Sequence, residues 1–122
     1  MTDAQPYSVT LDLGAPPDPC YVLEVAEAVD LACKVLAYQT RHPEALLDPG
    51  DGVQLLRHLS AAAATIPQLA DQIARRYEPE AGTATLPLLM TAGAARLAAE
   101  ELQADFASMA EVMASLAVET EE

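Results

Sequence analysis

The sequence predicts an all-α protein: a helical bundle of three long helices, the second kinked or split at Pro67, with a short N-terminal strand-like arm in front of them. Three observations lead there. Apolar residues recur at alternating spacings of three and four over long stretches, the period of one helix face. Strong breakers concentrate at 14–19, 42–50 and 78–82 and leave long segments between them. Only one segment alternates with period two, and no second strand follows that could pair with it. The expected organisation is an extended arm over 1–18 and a single helical-bundle domain over 19–122.

The arm comes first. In residues 7–13, Tyr7, Val9, Leu11 and Leu13 alternate with Ser8, Thr10 and Asp12, the pattern of a half-buried strand. Gly14 and the run Ala15-Pro16-Pro17-Asp18-Pro19 end it, since proline has no N–H to give to a ladder. A lone strand must pair with a symmetry mate, lie over a helix, or stay mobile.

The first helix is expected from Pro19 to Arg41, with Asp18 as N-cap, Pro19 in the first turn, and Pro43 as the stop. Val22, Val25, Val29, Ala32 and Leu36 form its main stripe. The breaker-rich loop 42–50 precedes a second helix, where Asp51 and Gln54 fit a capping box. Its stripe reads Val53, Leu56, Leu59, Ala63, Ile66, Ala70, Ile73 and Tyr77, close to heptad spacing, with Pro67 inside it. Arg75 and Arg76 are read as dipole partners before a loop at 78–82.

The last helix starts at Thr85-Leu86-Pro87 and continues to about Val118, with Gly93 its weak point. Leu88, Ala92, Ala95, Ala99, Leu102, Phe106, Met109, Met113 and Leu116 make a stripe with 4-3 spacing. Such a helix is about 50 Å long, whereas a compact chain of this length is roughly 35 Å across. The expectation is therefore a bend at Gly93, or a C-terminal half at 100–118 that projects and needs a partner.

Charge narrows the function. Six basic against 19 acidic residues give a net charge of −13, which argues against direct nucleic-acid binding and against anionic membrane surfaces. No uncharged run reaches the roughly 18–20 residues of a membrane span. The first residues carry no Lys or Arg and no apolar run of signal-peptide type, so a cytoplasmic location is expected. No basic residue follows Arg96, and the last 26 residues carry seven carboxylates, the profile of a solubilising end or of a surface for a basic protein partner.

Candidate chemistry is sparse. Cys20 and Cys33, 13 residues apart on one helix, would stand about 20 Å apart, too far for a disulfide, and are read as reduced thiols in or near a core. His42 and His58 form no metal-ligand spacing with them. Ser60 near His58, and Cys33 with His42, lack the local signature of a nucleophile. Expected, then, are no catalytic residues, no metal and no cofactor. The predicted role is a non-enzymatic small helical interaction or accessory regulatory protein acting as a homodimer. Its contact residues are Val9, Leu11 and Leu13 in the arm and Leu102, Phe106, Met109, Met113 and Leu116 in the last helix. Two alternatives accompany it: an acidic nucleic-acid mimic that inhibits a basic DNA-binding partner, and a bundle that holds a small apolar ligand.

Overall fold

A computed structural model describes residues 8–45 and 48–120, the last four of them as backbone only. Three α-helices follow one another: α1 (Pro19–Gln39), α2 (Pro49–Ala81) and α3 (Thr85–Thr120), with single 3-10 turns at Pro43–Ala45 and Gly82–Ala84. No strand forms among the described residues, so the chain is all-α. By its internal contacts it divides into two compact units, Met1–Ala45 and Leu46–Glu122. The division falls in the loop after α1, not between an arm and a single domain.

In the first unit, Asp18 caps α1 by accepting a hydrogen bond from the Cys20 N–H at 3.0 Å, with Pro19 in the first turn. At the other end Thr40 closes the helix by turning its hydroxyl onto the Leu36 carbonyl at 2.8 Å. No residue of α1 is buried. The strand expected over 7–13 does not form in its described part; Tyr7 lies outside the described residues. What replaces a ladder partner is Tyr21, whose hydroxyl accepts from the Asp12 N–H at 2.9 Å and donates to the Thr10 carbonyl at 2.6 Å. Asp12 then makes a local turn, its carboxylate accepting from the Gly14 N–H at 2.9 Å. The segment is thus held against α1 by one side chain and needs no second strand.

The second unit is an antiparallel helical hairpin. Asp48, not Asp51, is the N-cap of α2, accepting from the Asp51 N–H at 3.2 Å. The helix then runs unbroken for 33 residues through both Pro67 and Pro79, so it is not split at Pro67. Pro67 only removes one bond of the ladder, the one to the Ala63 carbonyl. With the helix carried on to Ala81, the expected loop 78–82 shrinks to the turn Gly82–Ala84. Gly82 has φ +56° and ψ −121°, a combination that side chains disfavour and glycine accepts. α3 leaves the turn with the Thr85 hydroxyl on the Gly82 carbonyl at 2.9 Å and continues for 36 residues with no break at Gly93.

Register along the hairpin is fixed by three close approaches. The Ser60 hydroxyl donates to the Gln103 carbonyl at 3.1 Å, Arg96 meets Asp71 at 3.7 Å, and a Cβ placed on Gly52 would come within 2.8 Å of Met113 Cε. The residues that α2 and α3 bury are Gly52, Val53, Leu56, Ala63, Ala74, Ala99 and Ala110. Small residues predominate, and this lets the two backbones run close together. Two expectations change accordingly. The packed helical unit holds two helices rather than a bundle of three, and the half of the last helix at 100–118 does not project alone, because the first half of α2 lies beside it. A helix of about 50 Å is accommodated by a second helix of nearly the same length.

Candidate functional site

The slender core leaves much apolar surface open, and helix geometry shows where it lies. At 100° per residue, the buried residues of α2 mark the line that faces α3. Roughly a quarter turn away runs a second line: Leu55, Leu59, Ala62, Ile66, Leu69, Ile73 and Tyr77. Leu55 and Leu59 are half-buried, and Ala62, Ile66, Leu69, Ile73 and Tyr77 are exposed. On α3 the line Ala92, Ala99, Phe106 and Met113 is buried or half-buried toward α2. Beside it, every seventh residue, stand Ala95, Leu102, Met109 and Leu116, all exposed.

Both open lines are displaced from the buried line in the same rotational sense. Since the two helices run in opposite directions, that places them on one side of the hairpin. The other side is charged: Arg57, Asp71, Arg75, Glu78, Arg96, Glu100 and Glu111 project there, with the Arg96–Asp71 pair bridging the helices. Apolar residues of α3 are exposed on that side too, Leu89 at 41% and Leu97 at 60%, so the hairpin separates apolar from charged surface more clearly on α2 than on α3. Its apolar side shows Ile73 at 57%, Met109 at 52% and Leu102 at 43% of full exposure. The outer rim of this side differs between the helices. On α2 it carries His58 and Arg76, the latter paired with Glu80 at 3.2 Å; on α3 it carries Glu101 and Asp105.

The expected contact residues divide accordingly. Leu102, Met109 and Leu116 lie on the open apolar side, whereas Phe106 and Met113 lie half-buried on the line toward α2, Met113 over Gly52. Val9 is half-buried and Leu11 and Leu13 are exposed in the first unit. Sequence reasoning missed the contribution of α2, Leu69 above all. The signal was present, because Leu55, Leu59, Ala62, Ile66, Leu69 and Ile73 keep strict 4-3 spacing. The stripe chosen instead joined Val53 to Tyr77. A 3.5-residue repeat drifts about 20° per heptad on a straight helix, so that stripe starts on the buried line and ends on the open one.

The chemical candidates find structural employment. The Ser60 hydroxyl ties α2 to α3 through the Gln103 carbonyl, and His58 projects from the opposite side of the helix. His42 packs on Tyr38 with ring centroids 5.0 Å apart, its Nδ1 3.2 Å from the Tyr38 carbonyl. Cys20 and Cys33 are free and exposed, not part of a core. Arg76 pairs with Glu80 and lies over the Tyr77 ring at 5.1 Å; because α2 continues to Ala81, neither Arg75 nor Arg76 occupies its last turn. Among the described residues no group of three His, Cys, Asp or Glu could hold a metal ion, and no helix is long and apolar enough to cross a membrane. The apolar cleft between the helices, lined by Ala70, Ile73, Ala74, Leu88, Thr91 and Ala92, is open to solvent.

Comparison with known proteins finds no matching family model, no similar curated protein and no similar solved structure.

Proposed function

We propose that this chain is a non-enzymatic helical interaction protein that acts as a homodimer, and that the apolar side of the α2–α3 hairpin is the surface a second copy covers. The observation that carries this reading is the pair of apolar lines, one on each helix, that share one side of the hairpin. Each of Ile66, Leu69, Ile73, Tyr77, Leu102, Met109 and Leu116 is about half exposed. Covering the rest of such a side chain is worth about 1 kcal/mol, hence roughly 10–20 kcal/mol for two chains, against an association cost of about 4–15 kcal/mol. The hairpin also has reason to gain a partner. Of its six buried apolar residues four are alanine, and a core so small in under about 80 residues rarely supplies more than about 3–5 kcal/mol.

Gel filtration coupled to light scattering tests the proposal. The expected mass is twice the 12.9 kDa of the chain; a 12.9 kDa species at every concentration, folded and cooperative, would sink it.

The carboxylates of α3 favour a second reading, in which the chain imitates nucleic acid and captures a basic DNA-binding protein. Arg96 is the only basic residue of α3, against Glu100, Glu101, Asp105, Glu111 and Glu119. That reading predicts capture that weakens steeply with salt. A dimer held through its apolar side keeps its mass in high salt.

A further inference from the structure

The homodimer reading leaves open how two hairpins meet, and the charge along their rims distinguishes the arrangements. Resting on that reading, we infer that the copies stack face to face with α2 of each lying on α3 of its partner, antiparallel to it. A closed dimer of identical faces has a two-fold axis, and two placements bring apolar side to apolar side. With the axis across the helices, α2 lies on the partner's α2 and α3 on the partner's α3. With the axis along the helices, each α2 lies on the partner's α3.

The like-on-like arrangement is electrostatically poor. Over Thr85–Thr120, α3 bears five carboxylates against Arg96 alone, whereas over Pro49–Ala81 α2 bears four carboxylates against three arginines. Glu101 and Asp105 also sit near the middle of the open line that ends at Leu116, so two α3 helices crossing there would bring four carboxylates together along one rim.

The mixed arrangement avoids this, and its register has no freedom. A two-fold axis along the helices preserves height, so every residue of α3 meets the partner's α2 at the level of its neighbour in its own hairpin. The Ser60–Gln103 bond gives that level. Asp105 then lies level with the partner's His58, and Glu101 lies level with the partner's Ala62, the partner's Thr65 standing three residues or ~4.5 Å further along. A donor-bearing ring stands opposite Asp105, no carboxylate of α2 lies within a turn of either level, and α3 is apart from its own copy.

Disulfide trapping tests the arrangement in the full chain with Cys20 and Cys33 replaced by Ser. Ile66→Cys and Ala98→Cys change exposed positions at one level of the apolar side. The mixed arrangement predicts that neither variant cross-links with itself under mild oxidation, and that equal mixing yields a covalent dimer joining position 66 to the partner's position 98. Self-cross-linking of Ile66→Cys or Ala98→Cys overturns the arrangement. So does a dimer that yields no cross-link in any sample. Light scattering on the same samples separates the two claims: a dimer with the wrong cross-links defeats the arrangement alone, while a monomer defeats the homodimer with it.

Discussion

At the scale of single residues, the hairpin depends on where side chains are missing. Gly52 is buried because Met113 occupies the space its Cβ would take. Gly82 turns the chain with φ +56° while nothing lies within 4 Å of a Cβ built there, and Gly93, inside α3, has equally open surroundings. The last two glycines are therefore matched in space and opposite in backbone. Gly82→Ala should cost about 1–3 kcal/mol through backbone strain alone. Gly93→Ala should add up to about 1 kcal/mol, the usual gain in helix propensity. Urea unfolding at one protein concentration measures both, and equal effects of the same sign would show that the turn is not what Gly82 provides. Gly93 also illustrates how far a residue can be read in advance. In the sequence it is a weak point where a long helix could bend; only the presence of α2 alongside makes bending unnecessary.

At the scale of elements, the helices were legible because caps and stripes are local. Asp18 with Pro19 starts α1 and Thr85 starts α3 at the expected residues; Asp18 does so through the capping bond that its spacing implies, whereas the Thr85 hydroxyl donates back to the Gly82 carbonyl. α2 was less legible. Its interior prolines read as boundaries, yet packing against α3 carries the helix through Pro67, and the missing N–H leaves the Ala63 carbonyl without its helical donor. Replacing Pro67 by Ala should therefore stabilise the chain, by about 1–3 kcal/mol in urea unfolding. A loss of stability would mean that the half-buried proline ring packs better than the restored bond. The arm before α1 was not legible from its alternation: residues 8–13 form no strand, and the Asp12 N–H and Thr10 carbonyl meet the Tyr21 hydroxyl rather than another backbone. The candidate surface was half legible: Leu102, Met109 and Leu116 follow from the spacing in α3, whereas the matching line on α2 was hidden by the drift of a heptad around a straight helix.

At the scale of the whole molecule, composition and structure agree on a division of labour. A net charge of −13 is spread along the chain, with α3 the most acidic of the three helices, and the apolar residues lie along helix faces of which the hairpin buries only one line. In α1 as well, Val22, Leu23, Val29 and Tyr38 are more than half exposed. The hairpin leaves most of its large apolar side chains exposed and packs internally mainly through alanine. The central claim is that the hairpin completes its core against a second copy, so that folding and association are one equilibrium. Its most direct test is the urea midpoint of unfolding measured over a 100-fold range of protein concentration. The account predicts a midpoint that rises steadily with concentration, as it must when the folded form is a dimer and the unfolded form is not. A cooperative transition with the same midpoint at every concentration would contradict it.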